Sequence, residues 1–521
     1  MPQSKEKIAV IDIGSNSIRL VIHDVDEKGR SKEIHNLKKT ARLSNHIDLE
    51  NRLTNEGFTI LKRSLQQIEE VIHFHNIKNI KAVATAAIRN ASNREAVLSF
   101  IKQETSLQVR VLTEEEEAFY GYLAVVNSTF LSDGITIDIG GGSTEITLFQ
   151  NKKLVHSHSF PFGALTLKKQ FFPKKEPDKN DLQKLTHFIK EQFSTLAWLK
   201  HAHNLPIIGI GGSARNMSLV HQSQINYSLA GLHQYKMDAN DINTTMALLE
   251  NSSLKERENI DGLSKDRADV IIPAVRVIFM LLEYTAADYF LMSNKGLRDG
   301  LLFEEMLRDY STDYFPDVSE ESFFQLSREF EINEDYVLEV GKIAHKLYRA
   351  MEPYLPAMFK NDKNIYLLKQ SARVLYIGEF ISHEASSQHT FYVLTNRSID
   401  GISHPERLAM ACIASFKSKS WYKRFIRPFK SLITKEEYKR YELLGSILKL
   451  SYSLNRTQRK VVQDLTAKKI GRTLHLYIYC RKNRNSYFEE VKSNKYKKHI
   501  EKAIKRSVHL HFTSHSKFTK N

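Results

Sequence analysis

Apolar runs broken at turn residues divide the chain into strands and helices. Residues 8–21, IAVIDIGSNSIRLV, read as an apolar strand, an Asp, a glycine turn bearing hydroxyls and a second strand. Residues 135–149, ITIDIGGGSTEITLF, repeat that order. Between them, Leu53, Phe58, Leu61, Leu65, Ile68, Val71 and Ile72 recur at helical spacing. KAVATA (81–86) predicts a strand leading into Arg89, a helix follows over 93–105, a strand over 109–112, and a helix opens at Thr113. After the second hairpin come a strand at 154–159, an amphipathic helix at 181–201 and a buried-type strand at 206–210. That strand runs straight into Gly211-Gly212-Ser213-Ala214-Arg215-Asn216. Helices at 238–251, 255–261 and 266–284, a strand at 289–293 and a last helix complete this part. Alternation of strand and helix is the grammar of α/β lobes. From about 317 glycine thins and helical periodicity holds to about 454. The tail predicts a small β-α-β piece, with strands at 473–480 and 508–512 around a basic helix at 488–504.

Composition bounds the class. At 521 residues, with 41% hydrophobic and 26% charged positions, the chain reads as a soluble protein of three or four domains. Its net charge of +16 is uneven. Residues 401–521 hold 29 Lys+Arg against 8 Asp+Glu, and the remainder holds 47 against 52. One cluster, Lys423, Arg424, Arg427 and Lys430, surrounds Trp421; a second, with Lys495, Lys497, Lys498, Lys502, Lys505 and Arg506, crowds the basic helix. Such asymmetry points to a polyanionic partner, the plain alternative being a solvated basic surface. Cys412 and Cys480 are the only cysteines and lie far apart, which excludes a disulfide framework or a Cys-based zinc site and fits a reducing, cytoplasmic setting. The N-terminus carries no apolar signal region, and the most apolar helix, over 270–282, is interrupted by Pro273 and Arg276, so no membrane span is expected.

The two hairpins carry the chemistry. Glycines let a backbone approach an anion, and successive N–H groups form a nest around it. Gly14, Ser15, Asn16 and Ser17 in one turn, and Gly140, Gly141, Gly142 and Ser143 in the other, are therefore candidate phosphate donors. Asp12 and Asp138 end their strands, where they can hold a hydrated Mg²⁺ that bridges to phosphate, and Glu145 can join them. Gly211, Gly212 and Ser213 open a helix, whose N-terminus attracts phosphate through oriented N–H groups. Arg89, just past a strand, suits a phosphate clamp through its planar fork, with a surface ion pair as the alternative. Glu114–Glu117 are adjacent: Thr113 with Glu116 makes a capping box, and acids suit a helix N-terminus. Sequence spacing leaves open which glutamate does more.

Taken together, IDIGSNSIRLVI, ATAAIRNA, EEEEAFYGYLAV, IDIGGGSTE, GIGGSARN and GLRDGLLFE, in that order, resemble the exopolyphosphatase / guanosine pentaphosphate phosphatase (Ppx/GppA) family of the actin-like ATPase superfamily. The resemblance covers residues 8–305 and extends into the following helical segment. It implies an α/β fold of two actin-like (ribonuclease H-like) lobes around a cleft, at 1–125 and 126–305. It implies a mostly α HD-like domain at 317–470 and a small α+β appendage at 471–521. The implied reaction is Mg²⁺- (or Mn²⁺-) dependent hydrolysis of a terminal phosphoanhydride of inorganic polyphosphate, with Glu117 as general base. Arg298 reads as structural or interdomain. The HD-like segment SARVLYIGEF (371–380) lacks the adjacent His and Asp of an active HD site, and His383 and His389 alone predict no second phosphohydrolase. A homodimer is the implied assembly, and guanosine penta- or tetraphosphate are further expected ligands. The alternatives are a guanosine pentaphosphate phosphohydrolase and, in another class, a catalytically weak nucleotide or polyphosphate sensor. No segment suggests the sugar pocket of a sugar kinase.

Overall fold

The first apolar run folds back on itself at its glycine turn. β1 (Ser4–Ile13) and β2 (Ser17–Asp26) pair antiparallel, and β3 (Ser31–Thr40) continues the meander. β4 (Asn79–Ala84) lies parallel to β1, and β5 (Val109–Val111) parallel to β4, giving the order β3-β2-β1-β4-β5. The computed structural model describes residues 4–26, 31–172, 176–310 and 312–513. The second apolar run repeats the plan. β6 (Gly134–Ile139), β7 (Thr144–Gln150) and β8 (Lys153–Phe160) form a meander, and β9 (Ile207–Ile210) runs parallel to β6. β11 (Phe290–Met292) is parallel to β9, and β10 (Tyr235–Met237) adds an antiparallel edge, for the order β10-β11-β9-β6-β7-β8. The mixed α/β architecture with two matching sheets is thus the one expected. β3 was not anticipated: SKEIHNLKKT is lysine-rich and mostly solvated, as an edge strand tends to be.

Alternation places the cores. Ile11, Ile13, Ile18 and Leu20 turn toward the helix Asn55–Phe74, which returns Leu61, Leu65, Ile68 and Ile72. A second core joins the two sheets: Ile8 and Val10 from the first and Phe149 and Ile208 from the second meet Tyr120, Leu123, Leu301 and Leu302. Those last four lie on helices Glu114–Val126 and Leu297–Leu307. The helices cross at Gly300, where an added Cβ would lie 2.1 Å from the Tyr120 carbonyl oxygen. Only glycine admits this approach, which explains the second glycine of GLRDG. The helix expected over 266–284 is shorter, a 3₁₀ turn at Lys265–Arg267 followed by Ile271–Tyr284, because Pro273 belongs in a helix's first turn.

The contacts divide the chain into two compact units, 1–227 with 232–321, and 228–231 with 322–521. The second unit is helical, including Glu334–Met351, Lys363–Arg373, Ser386–Asn396, His404–Ala414 and Lys435–Leu454. It ends in a three-stranded sheet, β12 (Val462–Ile470), β13 (Thr473–Cys480) and β14 (Val508–Thr513), with helix Tyr487–Ile504 between the last two. The sheet therefore begins ahead of residue 471 and reads β-β-α-β. VQDLTAKKI hides its strand character because only Val462 and Leu465 are buried. Residues 514–521 of the expected appendage lie outside the described residues. Among the described residues no helix is long and apolar enough to cross a membrane.

Candidate active site

The two glycine turns are built alike. Gly14 N–H donates to Ser17 O (3.1 Å), and Gly140 N–H to Ser143 O (2.9 Å). In the first turn Ser15 O and Asn16 O accept from the amides of Ser44, Ala41 and Arg42, which tethers the turn from outside while Asn16 stays exposed. In the second, Gly140 O accepts from Ala164 N (2.9 Å) and Gly141 O from Leu165 N (3.0 Å) and Thr166 N (3.2 Å). Gly163 makes that approach possible, since a Cβ there would lie 2.6 Å from Gly140 O. A peptide's N–H points opposite its C=O. With those carbonyls turned to the helix Ala164–Phe171, the Gly141 and Gly142 amides point away from it. Both glycines are exposed, with no atom within 4 Å of a Cβ position.

Register sets the charges. Asp12 faces Arg19 across β1–β2; at the equivalent place in β6–β7, Asp138 faces Glu145. Burial raises the Asp12 carboxyl above the ordinary range, with Arg298 and Arg19 pulling it back. Burial likewise raises Asp138, against Arg267 and Arg215, while Asp12 adds repulsion. Glu145 is 6% exposed, and burial together with Glu117 and Asp138 pushes its carboxyl up to about 8. Ser159 Oγ donates to it (3.0 Å), and Ser143 is a second hydrogen-bond partner. Among the described residues none of Asp12, Asp138 and Glu145 forms an ion pair, and no three or more His, Cys, Asp or Glu converge as a metal cage.

The glutamate run resolves into separate roles. Glu116 closes the capping box, accepting from Thr113 N (2.8 Å) while its own amide donates to Thr113 Oγ1 (3.1 Å), and it pairs with Arg110 at 3.0 Å. Glu115 is exposed, and amide and Thr113 hydrogen bonds at the helix N-terminus hold its carboxyl below the usual range. Glu114 lies 3.6 Å from Arg89 Nη2. Glu117 accepts from Arg89 Nη1 at 2.8 Å. Burial nevertheless raises it, Arg89 opposing and Asp138 and Asp12 adding to the rise. Arg89 is 10% exposed, donates to Leu112 O (3.2 Å), and keeps buried Nε and Nη2 atoms without a hydrogen-bond partner.

The third turn behaves differently. Gly211 takes φ +80 and carries the Asp138 carboxylate on its backbone: a Cβ would sit 2.3 Å from Oδ1. Gly212 carries the Arg267 guanidinium in the same way, at 2.5 Å. Ser213 is buried, its hydroxyl donating to Ile139 O (3.2 Å) and accepting from Arg267 Nη1 (3.3 Å), so that side chain positions an arginine. Arg298, read as structural, acts on Asp12, Arg19 and Arg215. Four arginines, Arg19, Arg215, Arg267 and Arg298, therefore surround the two aspartates. Sequence reasoning missed this set. Arg19 was findable as the cross-strand partner of Asp12 once the hairpin register is written out. Arg267 lies in a 3₁₀ turn with no motif around it.

In the second unit, His383 is exposed and lies 3.6 Å from Glu379, with His389 on the helix Ser386–Asn396. The basic clusters are partly engaged. Arg424 lies over Trp421 at 5.1 Å, Lys497 reaches Glu501 at 3.4 Å, and Arg506 donates to Tyr354 O at 2.6 Å.

Comparison with known proteins bears on this site. The model of the Ppx/GppA phosphatase family matches residues 20–309, and that of Ppx/GppA phosphatase domain III matches 318–495. Exopolyphosphatase 1 of Mycobacterium tuberculosis is 24% identical over 303 residues, 58% of this chain and 88% of that protein. A bifunctional 3-dehydroquinate synthase/phosphatase of Fusobacterium nucleatum is 26% identical over 309 residues, 57% of this chain, and the match spans 46% of that protein's length. The crystal structure of the Aquifex aeolicus member of the Ppx/GppA family superposes with TM-score 0.54 at 27% identity, covering 59% of this chain and 99% of that one. An exopolyphosphatase from Cytophaga hutchinsonii shares the fold, with TM-score 0.54 at 23% identity over 60% of this chain and 100% of that one.

Proposed function

We propose that this chain, which belongs to the Ppx/GppA phosphatase family, removes orthophosphate from the end of inorganic polyphosphate. One observation carries the reading: four carboxylates, Glu145 buried and Asp12, Glu117 and Asp138 half-buried, all with raised pKa values, stand among Arg19, Arg89, Arg215, Arg267 and Arg298. Arginines grip phosphate oxygens through their planar forks. Clustered carboxylates without ion-pair partners fit a divalent cation, and a cation shared with substrate phosphates needs no cage made of protein alone. Asp138, Glu145 and Asp12 would hold Mg²⁺ or Mn²⁺. When bound, that ion neutralises phosphate charge as the anhydride breaks.

Glu117 takes a proton from a water whose oxygen attacks the terminal phosphorus. The bond from that phosphorus to the bridging oxygen breaks, and the shortened chain leaves with the electron pair. The water's remaining O–H stays on the released orthophosphate. Burial suits Glu117 to this work, because a base acts best with a pKa near the working pH. Arg89 fixes its orientation, and the same guanidinium, whose Nε and Nη2 make no hydrogen bond although Nη2 also pairs with Glu114, has donors left for phosphate oxygens. The exposed Gly141 and Gly142 amides offer further donors. The exopolyphosphatase relative from Mycobacterium tuberculosis supports polyphosphate as substrate.

The test is phosphate release from long-chain polyphosphate and from guanosine pentaphosphate, side by side, with and without Mg²⁺. Higher kcat/KM on polyphosphate is expected. Preference for the nucleotide, or equal rates in EDTA, overturns the reading.

A further inference from the structure

The second unit holds a cavity of about 230 Å³ that plays no part in the chemistry above. Four cations line it: Lys417, Lys449, Arg456 and Lys492. Lys449 and Tyr452 come from the helix Lys435–Leu454, and Lys492 and Tyr496 from the helix Tyr487–Ile504. Among the described residues none of the four cations forms an ion pair with a carboxylate. Lys449 is 8% exposed, donates to the Lys417 carbonyl oxygen, and its ammonium lies 4.6 Å from the Tyr496 ring centre. Burial, then repulsion from Lys417, Lys498 and Lys495, lowers its pKa to about 8. A buried cation among other cations is costly unless an anion joins it. The aromatic wall is ordered, with the Tyr376 and Tyr452 rings 5.0 Å apart and edge-on. Glu379, 3.6 Å from His383, and Glu384 line the same cavity and offer acceptors for ligand hydroxyl or amino groups.

We propose that this cavity is a second phosphate site, binding the pyrophosphate group of a small ligand, bare or carried by a nucleoside. Four cations against two carboxylates match a compact multiply charged anion better than a single carboxylate. At roughly 30 Å³ per water the space equals about eight waters, enough for two linked phosphates. Lysine and arginine supply the charge and donors directly.

Calorimetric titration of the full chain with pyrophosphate, in chloride buffer with EDTA, tests this. Lys417 and Lys492 are exposed, so the Lys417→Gln/Lys492→Gln double variant retains the fold. Two sites are expected in the parent protein, one weakened at least tenfold in the double variant and the other weakened in Arg298→Gln. Equal affinity for pyrophosphate, ADP and GDP identifies a bare phosphate ligand. Tighter nucleotide binding, lost in Glu379→Gln, identifies a nucleoside-linked one. A single site that disappears in Arg298→Gln, or any pair of sites unmoved by the double variant, overturns the proposal.

Discussion

Replacing Arg89 by Gln shifts the pH dependence of turnover in a direction that the geometry fixes. Glu117 works as a base only when ionised. Burial already raises its pKa, and the hydrogen bond and charge of Arg89, 2.8 Å away, pull it back down. Without that guanidinium the pKa rises further, and the ionised fraction at neutral pH falls. A hydrogen bond to a charged group contributes about 1.5–3 kcal/mol. Removing it takes that much stabilisation from the ionised form, so the pKa moves in one direction only, upward. Below the new pKa, kcat/KM drops by roughly 10–100-fold through protonation of the base alone. Because Arg89 is 10% exposed, solvent does not screen the effect away. The assay is phosphate release at saturating Mg²⁺ across the pH range, for the parent, Arg89→Gln and Arg89→Lys. The acidic limb moves to higher pH in Arg89→Gln and less in Arg89→Lys, which keeps charge but not the fork. Loss of a phosphate contact lowers the whole curve as well, so the refuting result is a curve lowered equally at every pH with its acidic limb unmoved. That outcome would remove Glu117 from the role of titrating base.

Three other outcomes are expected. Glu117→Gln lowers kcat by about 10²-fold or more, while Glu115→Gln does not; Glu116→Gln loses a cap contributing about 0.5–2 kcal/mol and lowers Tm with turnover largely kept. For Glu145, whose folded pKa of about 8 lies above the ordinary carboxylate range, the ligand-free fold loses stability as pH rises toward 8, and cation binding displaces a proton. Mn²⁺ affinity therefore increases with pH up to about 8, read by titration with a pH indicator in weak buffer, and a flat affinity contradicts it. Gly300→Ala sets a methyl 2.1 Å from Tyr120 O, so Tm falls by the equivalent of about 1–3 kcal/mol; an unchanged Tm shows that the helices part without cost.

The two hairpins were legible because their information is local. Strand, aspartate, glycine turn and returning strand follow one another in sequence, and a period of two sets which side chains share a face. The α/β order of the first unit was legible for the same reason. The arginine set was not, because Arg19, Arg215, Arg267 and Arg298 come from four separate segments that only the folded sheets bring to the aspartates. Nor could the sequence show that the Ser213 hydroxyl is engaged with Ile139 O and Arg267, since both partners come from distant segments. The run Glu114–Glu117 could not be sorted from spacing, since capping and cleft-facing positions are neighbours on one turn. β12 was missed because a half-solvated lysine-bearing strand carries too few alternating apolar residues to announce itself.

The charge difference between the two hairpins has a chemical consequence. Two hairpins built to one plan would offer an incoming molecule the same charge on either side. The position opposite the aspartate breaks that equivalence: Arg19 in one copy, Glu145 in the other. One side thus carries a fixed positive charge, while the other carries a carboxyl that becomes negative only as pH rises past its raised pKa or as a cation displaces its proton. Two hairpins of one plan are thus chemically unequal, and the inequality rests on the single residue that faces the aspartate in each.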